Sequence, residues 1–126
     1  MKWVRLVTFM AVALMLSACD WGPRGPGQLR GIVTSGAGPV GAIVLEISGP
    51  GIQDFTETGQ TRVFFAELET DVYRVVLVAS DPGRILFRVA MDDVRRPALT
   101  VVTVEAADDS NAPITDLGGI TVELNR

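Results

Sequence analysis

From Leu29 onward the chain is cut into short runs by turn-forming residues, and this punctuation constrains the fold more than any other feature of the sequence. Eight runs stand between the breaks: Leu29–Thr34, Gly41–Ser48, Gln53–Thr58, Thr61–Leu68, Val72–Ser80, Arg84–Met91, Thr100–Ala106 and Ile120–Leu124. Breaks such as Ser35-Gly36-Ala37-Gly38-Pro39, Gly49-Pro50-Gly51 and Asp81-Pro82-Gly83 supply the backbone angles that turns need. Within the runs apolar residues recur with period two. Ile43, Leu45 and Ile47 stand against Ala42, Val44 and Glu46, and Ile85, Phe87, Val89 and Met91 stand against Arg84, Leu86, Arg88 and Ala90. Successive side chains of a strand point to opposite faces, so this period predicts strands with one buried face.

Other runs are less regular. Val102, Val104 and Ala106 fall opposite Val101, Thr103 and Glu105, while Thr121 and Glu123 are expected outward. Phe64 and Phe65 are adjacent, so at least one ring must face away from the main core. Val72–Ser80 (VYRVVLVAS) is the most apolar run and is expected at the centre of a sheet. Gln53–Thr58 is expected at an edge. No segment beyond Cys19 carries a 3.6-residue stripe with caps. The expected fold is all-β: a single antiparallel sandwich of seven to eight strands. About 98 residues from Leu29 suffice to bury about two-thirds of the chain's surface without a disulfide.

Composition removes whole classes of chemistry. The chain has no His and a single Cys, Cys19. That excludes an internal disulfide framework, a His- or Cys-based metal cage, and a Ser-His-Asp or Cys-His centre built by this chain alone. Ser35, Ser48, Ser80 and Ser110 have no His to activate them, and the lone Lys, Lys2, lies in the first five residues. Paired carboxylates can meet in any fold, but nothing in the sequence marks such a pair. No enzyme activity and no cofactor are expected.

The first residues read as an address. Lys2 and Arg5 precede an eleven-residue apolar run, Leu6–Leu16, followed by Ser17, Ala18 and Cys19. A charged start, a short apolar core and a small-residue end describe a secretory signal. The run is too short for a membrane-spanning helix, which needs about 20 apolar residues. Leu16-Ser17-Ala18-Cys19 directly after that run resembles the lipobox of bacterial lipoproteins. The resemblance implies cleavage before Cys19 and attachment of diacylglycerol to its sulfur. Cys19 is then a lipidation site, and the membrane is a partner through its lipid. Asp20 resembles an inner-membrane retention signal of enterobacteria; inner and outer membrane both remain open.

Residues 1–18 are thus expected as a signal peptide and 19–28 as the lipidated Cys with a Gly/Pro linker, leaving 29–126 as the sandwich. Asp20–Gln28 (DWGPRGPGQ) holds three Gly and two Pro, so it is expected to act as a spacer, with Trp21 near the lipid headgroups. After cleavage nine arginines face fifteen acids, a side-chain charge of −6. An acidic chain argues against nucleic acid as a partner.

Residues 29–80 resemble the carboxypeptidase-regulatory-like, or transthyretin-like, β-sandwich family. The resemblance rests on Gly31-Ile32-Val33, Gly38-Pro39-Val40-Gly41-Ala42-Ile43-Val44-Leu45, Thr56-Glu57-Thr58-Gly59-Gln60-Thr61, Phe64-Phe65 and Leu68 with Tyr73-Arg74-Val75. Asp71 replaces the family's Gly two residues before the Tyr. Asp tolerates left-handed backbone better than most residues, so the turn is expected to survive. The longer C-terminal third leaves an immunoglobulin-like or cohesin-like topology open. Isolated domains of this family are typically non-catalytic, which implies a structural or binding module.

Three polar groupings stand out. Asp108-Asp109-Ser110-Asn111 with Asp116 is the densest acidic loop, but its spacing fits no EF-hand, and local turns are expected instead. Asp92-Asp93 before Arg95-Arg96-Pro97 reads as a turn with local ion pairs. Arg84 and Arg88 share one side of a strand, where they either form a solvated face or grip a carboxylate or sugar. The expected function is a membrane-tethered, non-catalytic lipoprotein serving as a structural or protein-binding module of the bacterial cell envelope, facing the periplasm if Gram-negative. An envelope protein is the expected partner. The alternative is a carbohydrate- or ligand-binding lipoprotein.

Overall fold

Eight strands occupy the eight punctuated runs. In the computed structural model, which describes residues 25–36, 38–80, 84–95 and 99–126, they are β1 (Gly27–Ser35), β2 (Val40–Ser48), β3 (Ile52–Glu57), β4 (Thr61–Glu69), β5 (Val72–Ala79), β6 (Ile85–Met91), β7 (Thr100–Asp108) and β8 (Ile120–Asn125). One turn of 3-10 helix, Leu117–Gly119, leads into β8. The signal segment, Cys19 and the tether as far as residue 24 lie outside the described residues, as do parts of the β5–β6 and β6–β7 connections.

The strands form two four-stranded antiparallel sheets, ordered β3-β6-β1-β8 and β4-β5-β2-β7. Only β4 and β5 are consecutive neighbours within a sheet; every other connection passes from one sheet to the other. Each sheet is therefore stitched from segments distant in sequence. The fold is an all-β sandwich. As its pattern predicts, β3 lies at an edge, and β5 lies inside its sheet between β4 and β2.

Period two decides what fills the space between the sheets. Leu29 and Val33 of β1 and Ile85, Phe87, Val89 and Met91 of β6 are buried from one side. Ile43, Leu45 and Ile47 of β2 and Val75 and Leu77 of β5 meet them from the other. Tyr73 shares the parity of Val75 and packs beside Phe55 and Phe65, with ring centroids 5.5 Å and 6.5 Å away. Phe55 and Phe65 are 5.1 Å apart, and this trio closes the side of the sandwich between the edge strands β3 and β4. Phe64 points the other way, outward, as adjacency requires.

Irregularities account for the departures from simple alternation. Ile43 pairs with Ala106 and Val44 with Glu105, yet Leu45 pairs with Thr103, so β7 bulges and Val104 is its extra residue. A bulge sets two residues against one and shifts the parity beyond it. Ala106 and Val101 therefore both face the core, while Val102, Val104 and Glu105 are exposed. The unbroken alternation expected for Thr100–Ala106 is corrected accordingly. A second bulge falls at Gly41, where a Cβ would sit against the carbonyl oxygen of Asp108, which explains a side-chain-free residue at this point in β2. Strand β1 begins two residues before Leu29, because Gly27 and Gln28 already pair with Met91 and Ala90. The Asp93 carboxylate accepts the Gly25 N–H, and the Val94 N–H donates to the Gly25 carbonyl, so the end of the spacer is sewn to the domain.

The β4–β5 turn holds Asp71 in left-handed backbone. Asp71 has φ 61°, and its carbonyl accepts the Gly49 N–H. A non-Gly residue in this region is strained by roughly 1–2 kcal/mol. Asp71→Gly is expected to raise stability by up to about 1 kcal/mol, since the flexibility of Gly in the unfolded chain offsets part of the relief. Urea midpoints of the two proteins measure the difference; a loss of stability would mean that the Asp71 side chain holds the turn.

Candidate functional site

The outer face of the sheet β4-β5-β2-β7 is where this domain departs most from an ordinary surface. Cross-strand register places its outward residues in rows. Arg62, Val78, Ala42 and Ala107 form the first, and Phe64, Val76 and Val44 lead to the Val104–Glu105 bulge in the second. Ala66, Arg74, Glu46 and Val102 form the third. Among the described residues six large apolar side chains are exposed. Four of them, Phe64 (54%), Val78 (37%), Val102 (53%) and Val104 (39%), lie on this face, and Leu68 (50%) is the extra residue of a bulge near the end of β4. Single exposed apolar residues are ordinary, whereas a contiguous patch rimmed by polar groups marks an interaction surface.

An ion pair stands on the two central strands of this face. The Arg74 guanidinium donates to the Glu46 carboxylate at 3.3 Å across neighbouring strands. Both side chains are over a third exposed, so the pair contributes at most about 1 kcal/mol to folding. At the β4 edge the Arg62 guanidinium lies 6.0 Å above the Phe64 ring. Towards β7 a shallow depression of about 230 Å³ is lined by Ala42, Val44, Glu105, Asn111 and Pro113 among others. It is smaller than the roughly 300–1,000 Å³ of pockets that enclose small ligands. The face therefore suits a flat partner better than a buried small molecule.

The residues singled out by sequence fall elsewhere. The Asp108 carboxylate accepts backbone N–H groups of Ser110 and Ala112 at 2.8 and 2.9 Å, which folds the acidic loop into a local turn. Among the described residues no three His, Cys, Asp or Glu side chains gather closely enough to hold a metal ion. Asp93 likewise accepts backbone N–H groups of Gly25 and Arg95, and Arg96 and Pro97 lie outside the described residues. Arg88 is exposed on β6 of the opposite sheet, whereas Arg84, also exposed, falls one residue before that strand begins. There Arg88 stands directly across from Arg30, and both line a cleft of about 200 Å³ with Gln28, Leu29 and Arg126. Arg84 is not part of it. Arg30 and Arg126 were not legible as companions of Arg88, because only the register of β1 with β6 and β8 brings them together. Phe64 and Phe65 point to opposite faces and form no row of rings. Among the described residues no helix is long and apolar enough to cross a membrane.

The Tyr73 phenol is held above its ordinary range, chiefly because its hydroxyl donates to the Glu67 carboxylate; burial and the charges of Glu67 and Asp71 add to this. The folded state thus holds the phenolic proton more tightly than the unfolded chain. That contribution is fully present below about pH 10 and is lost as pH rises through the folded-state value. Stability is expected to be nearly flat between about pH 6 and 8, where His normally titrates and none is present. It should then fall on the alkaline side. Urea midpoints from pH 6 to 11 test both parts, and Tyr73→Phe should remove most of the alkaline fall. A steep slope near neutrality would contradict the first.

Comparison with protein-family models, with curated proteins and with solved structures returned no match to this chain.

Proposed function

We propose that this chain is a lipid-anchored, non-catalytic module of a bacterial cell envelope that engages another protein through the outer face of β4-β5-β2-β7. The carrying observation is the group of exposed apolar side chains on that face, Phe64, Val78, Val102 and Val104, on an otherwise acidic domain. Water is displaced from such a surface at about 25 cal/mol per Å² of apolar area. The charged start, the short apolar run and Leu16-Ser17-Ala18-Cys19 support the anchor. Two or three acyl chains on Cys19 would hold the domain on the membrane, since one chain alone binds only marginally. The Gly/Pro spacer from Asp20 then separates lipid from domain.

Two experiments test the two halves. Membrane fractionation with lipid labelling should show the wild-type chain labelled and in the membrane fraction, and Cys19→Ser unlabelled and not cleaved before residue 19. A labelled or normally processed Cys19→Ser protein would overturn the anchor. For the docking face, a photo-crosslinking residue at position 64 or 102 should give discrete protein adducts in intact cells. The same group at position 34 or 86, on the outer face of the other sheet, should not. Equal adducts from both faces would remove the reason for choosing this one.

The cleft of Arg30, Arg88 and Arg126 favours a second reading, a lipoprotein that binds an anionic ligand. Like charges directly opposite across a strand pair are unfavourable, and a carboxylate or phosphate would relieve them. Calorimetric titration with inorganic phosphate tests it, with Arg88→Ala abolishing any heat of binding.

A further inference from the structure

The charges on the outer face of β4-β5-β2-β7 are arranged so that the face is complementary to itself, and we infer that its partner is a second copy of this chain. The inference rests on the reading of this face as a protein-docking surface and names its occupant. Consider two copies stacked face to face about a two-fold axis that runs along the strands, midway between β5 and β2. Such an axis leaves every row at its own height and exchanges sides. It sets β5 over the partner's β2, and β4 over the partner's β7. Arg74 then stands over the second copy's Glu46 and Glu46 over its Arg74, so the pair already joined at 3.3 Å within each chain becomes a square of alternating charge. Phe64 meets the Val104 bulge, Ala66 meets Val102, and Arg62 lies one row from Glu105.

Turning the axis across the strands destroys this match. Placed midway between the rows, it lays Arg74 and Glu46 on Val76 and Val44, leaving both charges against valines; placed through the row of Arg74 and Glu46, it sets each charge on its like. Desolvating an ion without a partner is costly, so the charges select the axis along the strands. Isologous contacts of this kind close on themselves and give a dimer, not a filament. Face-to-face sheets pack about 10 Å apart with strands crossed by about 30°. Four strands of eight or nine residues offer a footprint of about 19 by 30 Å, about 570 Å² per partner, which over the two copies clears the roughly 1,000 Å² expected of a biological interface. The same axis puts the start of β1 at one common end in both copies. Two lipid anchors could then enter one membrane without twisting either tether.

Sedimentation equilibrium of the full chain in a density-matched non-ionic detergent, from 1 to 100 µM, tests the inference. The wild-type chain should sediment at twice its monomer mass. Val102→Glu and Arg74→Glu should each weaken association at least tenfold with circular dichroism unchanged, because both side chains are exposed in the isolated domain. The exchanged variant carrying Arg74→Glu together with Glu46→Arg restores every opposed pair and should recover dimerisation to within about threefold. A wild-type chain that is monomeric at 100 µM overturns the second copy as occupant but leaves the docking face intact if position 64 or 102 still gives adducts to another protein. A dimer indifferent to Val102→Glu and Arg74→Glu overturns the use of this face. A folded exchanged variant that stays monomeric overturns the axis.

Discussion

Leu77→Ala is expected to lower the unfolding free energy by about 2–5 kcal/mol, the range for deleting a fully buried Leu side chain. Leu77 is 0% exposed, in an interior strand, with Ile43 paired beside it in β2 and Val63 in β4. Its removal leaves a cavity between the sheets that the surrounding strands cannot collapse into without breaking their ladders. Against a total stability of about 5–15 kcal/mol this is a large fraction. Arg88→Ala makes the contrast. Arg88 is exposed on the outer face of β6, one residue from the buried Phe87, and its loss should cost under about 0.5 kcal/mol. Denaturant unfolding of both variants tests the register of the sandwich from its two sheets at once. Equal losses would mean that inward and outward faces are misassigned in one of them.

Gly31→Ala is expected to be as damaging as a core deletion, for the opposite reason. Gly31 pairs with Phe87 across β1 and β6, and the Phe87 ring lies over the glycine where a Cβ would project. The ring is 0% exposed, so it has nowhere to retreat. Forcing a methyl into a filled core costs typically 1–3 kcal/mol, and more where backbone must shift. Phe87→Ala alone should cost about 3–5 kcal/mol through the cavity it leaves. The two changes should not add. With Phe87→Ala in place, the methyl of Gly31→Ala enters space that the ring has vacated, so the double variant should be more stable than the sum predicts by about 1–3 kcal/mol. A thermodynamic cycle from four urea titrations gives this coupling directly, and a coupling near zero would show that the ring does not cover Gly31.

Much of the architecture is readable without coordinates. The eight strands follow from turn residues, and the buried faces of β2, β5 and β6 follow from alternation, because both signals are local: a residue's side of a strand depends only on its parity. The left-handed backbone at Asp71 is one that Asp tolerates better than most residues. Even Gly31 and Gly41 are visible in the sequence, although the reasons for them, a ring from β6 and a carbonyl from β7, are not.

What the tertiary structure alone decided is which strands lie side by side. Seven strands join a sheet across long stretches of chain, and pairing over such distances leaves no trace in local pattern. The bulge at Val104 exists only against Val44, so parity in β7 could not be followed through it from the sequence. The candidate face has the same origin. Phe64, Val76, Val44 and Val104 come from four strands spread over some sixty residues, and each alone is an unremarkable apolar residue in an alternating run. Arg74 and Glu46 likewise become neighbours only through the register of β5 on β2. Composition and period two determined that this chain builds a sandwich with particular residues inside. Long-range register, a property of the assembled sheets, decided which of the outward residues stand together and therefore which surface has anything to bind.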